Sequence, residues 1–352
     1  MRRREFLGGL GATGAAGLAG CADLFETRSR GEPPVIEDRP EAVYYPTHYE
    51  DMQMPGMAKD GAYKCALTYS FPHRFWLVTG DRREKVELQE RDSMHLMPVV
   101  WHEETGIVPP DVNPQVTIRR DGESVTSVSP WPMLSQPMGF HFGDNVQLPT
   151  EATYQVEIAV GDGSSRRTGS LADAGAASFE FSMEYSPSKM EEITVTDVPE
   201  DKQGTKGAVA PMEMKMLPST QLPKPTSLPG TVRGTGTSGD GEFVVTTLDD
   251  ASRFGGAEGE SYLAVSPRTP FNRNPLPLMS LSATLKRSGE TVYDDILQTT
   301  IDPELDYHYG ASISEVRSGD ELTVTVDAPP QTARHEGYET AFLDMPELTM
   351  EL

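Results

Sequence analysis

Two nine-residue stretches, TIRRDGESV at 117–125 and TLKRSGETV at 284–292, align without a gap, and so do GFHFGDNV (139–146) and DYHYGASI (306–313). The offset is 167 residues in both cases, 284 against 117 and 308 against 141. At the same offset FWLVT (75–79) meets EFVVT (242–246), and MHLMPV (94–99) meets SYLAVS (261–266). One register held over so much chain restricts the fold to two copies of one unit. Within each unit the apolar pattern has period two. Tyr154, Val156, Ile158 and Val160 alternate with Gln155 and Glu157, and Val116 and Ile118 alternate with Thr117 and Arg119. Gly, Pro, Asn and Asp interrupt at short intervals and helical spacing is nearly absent, so the sequence predicts an all-β protein built as two sandwiches in tandem.

A chain of 352 residues is long for a single core, which agrees with two domains. The boundaries expected are 1–21 for an export signal, 22–45 for a tether without apolar period, 46–192 for the first sandwich, 193–238 for a linker and 239–352 for the second. The linker assignment rests on the Pro, Gly, Thr and Ser content of LPSTQLPKPTSLPGTVRGTGTSGDG (217–241).

The start of the chain carries an address. Arg2-Arg3-Arg4-Glu5-Phe6-Leu7 precedes a Gly/Ala/Leu-rich run too short to span a bilayer, the pattern of a twin-arginine export signal. Leu18-Ala19-Gly20-Cys21 reads as a lipobox, which would make Cys21 the first mature residue and attach a lipid to it; an uncleaved short anchor is the alternative. Both place the folded part on the extracellular face of the membrane. With Cys21 committed to lipid, Cys65 has no partner for an intrachain disulfide and reads as a small core residue.

A formal charge of −24 covers the surface in carboxylates, which excludes nucleic acid and anionic lipid as partners. So dense a coat repels itself unless salt screens it, and the expected source is a halophile. No Gly-x-Ser-x-Gly elbow, His-Glu-x-x-His helix or Gly-rich phosphate loop is present, so a binding protein is expected rather than an enzyme.

The candidate chemistry lies in DSMHLMPVVW (92–101) and PMLSQPMGFHFGDN (132–145). On a strand, His95 and Met97 share one face, and His141 points away from the face of Phe140 and Phe142. Met133 precedes a turn that brings it back beside His141. Imidazoles with thioethers make a soft-to-borderline donor set, suited to copper and tolerant of ferrous iron, without the thiolates or carboxylates of structural zinc or calcium sites. His95, Met97, Met133 and His141 are the expected ligands, and Met138, His48, Met52 and Met54 are further candidates. In the second copy Tyr262, Ala264 and Thr300 replace His95, Met97 and Met133, while His308 answers His141. The competing reading is that these residues fill a core. On either reading His73, set among Phe71, Phe75 and Trp76, is expected to be packed rather than ligating, and His102 to belong to a turn. Met212, Met214 and Met216 in PMEMKM (211–216) fall on one strand face with no evident role.

HLM, then PWPMLSQPMGFHFGDNVQLP, then TYQVEIAV resembles the periplasmic iron-transport proteins that accompany an iron permease in bacteria, over residues 46–190. The resemblance implies an immunoglobulin-like fold for each sandwich, binding of copper and iron, delivery to a membrane iron permease, possible homodimers, and a duplicated relative from a halophilic archaeon. By position it implies that His95, Met133 and His141 are ligands. Met97 stands where the family has a glutamate, which removes a hard, charged donor. A later histidine-rich stretch of the family is represented by Arg166-Arg167-Thr168, so a ligand is missing there and must come from another residue or another subunit.

Overall fold

The computed structural model describes residues 35–352, and these form one compact unit. The expected export signal, the expected lipidation site Cys21 and the first part of the expected tether lie outside the described residues. Among the described residues no helix is long and apolar enough to cross a membrane.

The protein is all-β, as the period-two pattern predicts. In the first copy a four-stranded antiparallel sheet (Ala177–Tyr185, Ala152–Val160, Gln115–Arg120, Glu123–Val128 in spatial order) buries one face. Tyr154, Val156 and Ile158 point inward with Phe179, Phe181 and Met183, while Gln155 and Glu157 are exposed. Its partner is an eight-stranded sheet in the order Gln53–Asp60, Tyr63–Ser70, Met94–His102, Gly139–Val146, Trp131–Ser135, Ala333–Arg334, Phe75–Thr79, Arg82–Val86. Met94–His102 is buried at every position, hence on both faces. Met94, Leu96 and Val100 belong to the sandwich core, and the opposite face, carrying His95, is covered by other chain.

The second copy repeats this plan. Its six-stranded sheet runs Arg166–Arg167, Gln298–Asp302, Asp306–Ile313, Ser261–Arg268, Gly241–Leu248, Thr231–Ser238, and faces Glu290–Ile296, Ser280–Arg287, Glu321–Ala328 and Leu348–Glu351. Each large sheet thus contains a short strand from the other copy. Arg166 and Arg167 pair in parallel with Thr300 and Ile301, and Ala333 and Arg334 pair in parallel with Met133 and Leu134. All four positions obey the 167-residue offset, so the exchange is reciprocal and related by a pseudo-two-fold.

One sequence match does not correspond to equivalent strands. Phe75–Thr79 pairs with Arg82–Val86 and with the incoming Arg334. Gly241–Leu248 pairs with Ser261–Arg268, which is the place Tyr63–Ser70 takes beside Met94–His102. Before residue 94 the true offset is therefore 178, from Tyr63 against Gly241 and Gln53 against Thr231. The difference is an insertion in the first copy, the hairpin 75–86 that follows His73.

The expected linker and tether are also part of the folded body. Within 193–238, Val195–Asp197 pairs with His48–Glu50, and Thr231–Ser238 is an edge strand of the second sandwich. Its Gly/Thr alternation reads as a flexible spacer, but a Cβ on Gly236 would lie 2.5 Å from Leu348, so the missing side chain lets Leu348 cross the strand. At the end of the expected tether Ala42, Val43 and Tyr44 are buried, and Tyr44 Oη donates to Glu339 Oε1 at 2.5 Å.

Candidate metal centre

Met133 and His141 are direct cross-strand partners in the antiparallel hairpin Trp131–Ser135/Gly139–Val146. His95 comes from the next strand over, where it pairs with Asn145. A Cβ placed on Gly143 would lie 2.5 Å from His95 Nε2 and 3.1 Å from Met133 Sδ, so these two donors converge on the space a side chain there would fill.

The third imidazole of the cluster with His95 and His141 arrives from the second copy. His335 follows Arg334, the last residue of the exchanged strand, and its backbone N–H donates to Leu134 O at 3.0 Å. Its ring centroid lies 5.6 Å from that of His95 and 5.2 Å from that of His141. Ligand atoms of His73, His95 and His335 all lie within 4.8 Å of one another. His95 and His141 are buried, His335 is half-buried, and the Nε2 atom of each of the three is shielded from solvent.

The hydrogen bonds set which nitrogens are free. His141 Nδ1 lies 3.2 Å from Gly139 O, an acceptor only, so the proton sits on Nδ1. Asn145 Nδ2 donates to His73 O at 2.9 Å while Asn145 Oδ1 accepts from the His73 N–H at 3.4 Å, which fixes the amide orientation. His95 Nδ1, 2.9 Å from that same Oδ1, is therefore also the protonated nitrogen. His73 Nδ1 donates to Phe71 O at 2.9 Å; its Nε2 then accepts from His335 Nδ1 at 3.1 Å. Nε2 is left bearing a lone pair on His95, on His141 and on His335, and among the described residues all three have no hydrogen-bond partner. This is the ligand-ready tautomer, held on His95 and His141 by an oxygen acceptor and on His335 by His73 Nε2. His73 has both nitrogens engaged, so it supports His335 from behind.

Burial keeps the rings neutral. It lowers His141 to about 4, and His95 and His335 fall well below the ordinary histidine value through burial and the neighbouring imidazoles, His73 foremost. The donor set is three imidazoles and one thioether.

The pseudo-equivalent position in the second copy is closed. Tyr262 stands for His95, and its hydroxyl donates to His308 Nε2 at 3.1 Å and lies 3.3 Å from Thr300 Oγ1. His308 Nδ1 donates to Asp306 O at 2.9 Å, as His141 does to Gly139 O. Phe254 stacks on Tyr262 with centroids 3.6 Å apart. Thr168, the counterpart of His335, donates to Asp302. Every polar group there has a protein partner.

Of the residues singled out in the sequence, His95, Met133 and His141 are brought together. Met97 is buried two residues along the face of His95, and the atoms nearest the Gly143 gap are those of His95 and Met133. Met138 lies in the hairpin turn and packs partly on the core. His48 Nδ1 lies 2.9 Å from Thr47 Oγ1, and its Nε2 faces Glu50 at 3.8 Å. Met52 is half-buried and Met54 packs against the core. His102 contacts Thr105 in a turn, and Cys65 is a free, buried thiol. Sequence reasoning missed His335. The signal was the 167-residue offset itself, which carries Thr168 onto His335.

The protein is all-β, and its fold gathers the imidazoles of His73, His95, His141 and His335 with the Met133 thioether in one cluster. A family model described as a domain of unknown function, DUF7350, matches residues 226–351. Comparison with curated proteins gives no match. Among solved structures, the chain is similar to the copper-bound form of a FetP variant from uropathogenic Escherichia coli strain F11, at 16% identity and a TM-score of 0.29, over 38% of this chain and 97% of that one. It is similar also to FetP of the same strain as isolated after periplasmic expression, at 15% identity and a TM-score of 0.28, over 38% and 96%.

Proposed function

We propose that the chain binds one copper ion, or ferrous iron in its place, through His95, Met133, His141 and His335, and carries it on the extracellular face of the membrane to a membrane iron permease. The observation that supports the reading is the set of three buried Nε2 lone pairs without partners beside the Met133 thioether. A buried polar atom left unpaired costs roughly 1–3 kcal/mol, a cost with no return unless a ligand takes the lone pairs. Three imidazoles and a thioether favour copper, and the absence of a carboxylate among the four disfavours ferric iron. His335 allows one complete site per chain, so a second subunit need not supply a ligand. Attachment through Cys21 and twin-arginine export would set the carrier's place outside the cell.

The alternative is a non-catalytic surface lipoprotein whose Met and His residues are incidental. Metal titration of the full chain in high salt separates the two. The carrier reading expects about one tightly held copper per chain, lost in His335→Ala and His141→Ala and kept in His308→Ala. Tight uptake that survives removal of both His141 and His335 leaves the structural reading standing.

A further inference from the structure

Three methionines that the site does not use gather at one place. A cavity of about 410 Å³ is lined by Met138, Met212 and Met214 together with Pro137, Glu213 and Leu217. The segment 211–217 is held there by the Met212 N–H, which donates to Pro137 O at 2.9 Å, and Thr220 Oγ1 donates to Met138 O at 3.3 Å. Met138 belongs to the turn of the hairpin that carries Met133 and His141. Gly139 pairs with Ser135, Phe140 with Leu134, and His141 with Met133. Two residue steps along a strand, about 7 Å, separate the pair that closes the turn from the two ligands, and Met138 stands one step further, about 10 Å of chain from His141.

We propose that this cavity is a loading site for copper(I), bound by the thioethers of Met138, Met212 and Met214 and passed along the hairpin to the buried histidine centre. The inference rests on the copper reading of that centre. Methionines used as filler close gaps, whereas these three border open volume. Thioethers are soft and uncharged, so they select a monovalent soft ion; Glu213 and Lys215 both line the cavity and their charges offset, so the selection rests on the sulfurs. A set of thioethers alone holds the ion less tightly than three imidazoles and a thioether, so transfer inward runs downhill. The volume far exceeds that of a bare ion and leaves room for the ligands of whatever donor delivers it.

Copper(I) titration of the full chain under anaerobic conditions, against a coloured copper(I) chelator, tests this. About two equivalents are expected, one tight and one weaker. The triple variant Met138→Leu, Met212→Leu, Met214→Leu conserves volume and should keep the tight equivalent, lose the weaker one and load the tight site about tenfold more slowly. His141→Ala with His335→Ala should do the reverse, losing the tight equivalent and keeping the weaker. The loading site is overturned if the wild type takes up only the tight ion, or if the triple leucine variant retains the weaker one. A wild type that shows only the methionine-dependent equivalent sinks the buried centre instead.

Discussion

Gly143→Ala blocks the centre without removing a ligand. Its φ lies outside the left-handed region, so alanine meets no backbone barrier there. The new Cβ would stand 2.5 Å from His95 Nε2 and 3.1 Å from Met133 Sδ. Non-bonded heavy atoms settle at about 3.5 Å or beyond, so the imidazole must retreat by about 1 Å and the thioether by roughly half that. Metal–imidazole bonds are about 2.0–2.1 Å with a tolerance near 0.2 Å, so the displaced His95 can no longer bond. Four-ligand structural sites hold their ion by roughly 10–16 kcal/mol, or about 2.5–4 kcal/mol per ligand. The expected loss of affinity is therefore about 10²–10³-fold. Overpacking by one methyl costs about 1–3 kcal/mol, a few degrees in Tm for a chain of this size, so the variant remains folded. The assay is copper(I) competition with a chelator of known affinity, paired with a melting curve. Gly310→Ala is the control, because its Cβ would strike the Tyr262 hydroxyl in the closed second site and should lower Tm without changing copper affinity. Affinity within about threefold of wild type in Gly143→Ala, or an equal loss in Gly310→Ala, refutes the placement of the metal.

Asn145→Ala removes the acceptor that fixes His95 in its ligand-ready tautomer, and copper affinity should fall about 10–100-fold with the fold intact; chelator competition checks it. Because His335 reaches the centre from the second copy, chelating the metal should speed hydrogen exchange at Ala333–Arg334 and leave the Tyr154–Ile158 strand unchanged. At free metal about 100-fold above Kd the bound form should be more stable by about 2.7 kcal/mol, read by denaturation. Burial lowers His308 to about 4, so the folded chain keeps it neutral where the unfolded chain protonates it. Its contribution is full above the ordinary value of 6.5 and is lost as pH falls toward 4, while Asp144 and Asp306, raised by burial to about 6, act in the opposite sense. Between pH 7 and 4 the wild type should lose up to about 3 kcal/mol more than His308→Gln, measured by urea unfolding of the two proteins in parallel.

The architecture was legible because period-two alternation and a repeat are local signals. Ala152–Val160 shows its buried face directly in Tyr154, Val156 and Ile158. Met133 and His141 were legible as a pair for the same reason, since a short turn between alternating strands brings them opposite one another. His335 was not, because its place is set by a strand that leaves its own sandwich and enters the other sheet, and no local pattern encodes an exchange. His73 was read as packed on its aromatic neighbours, and it does lie 4.2 Å from the His95 ring by centroid. Its role as acceptor for His335 depends on that same exchange. The match of FWLVT to EFVVT misled for a related reason: two amphipathic strands look alike whatever edge they occupy, and pairing alone showed the inserted hairpin.

The two pseudo-equivalent sites argue for the metal more strongly than either does alone. They share a hairpin of the same length, a glycine at 143 and at 310, a histidine at 141 and at 308 with its Nδ1 on a carbonyl, and an incoming strand in the same register. In the second copy the backbone is accompanied by Tyr262, Thr300 and Thr168, and the side chains satisfy one another. The geometry therefore poses no obstacle to a fully paired interior. In the first copy the same backbone holds three imidazole nitrogens unpaired, at roughly 1–3 kcal/mol each, in a chain whose net stability is of order 10 kcal/mol. A sequence that closes one pocket with hydroxyls leaves in its twin three lone pairs for an outside ligand to take, and the thioether beside them fits the soft metal ion proposed here.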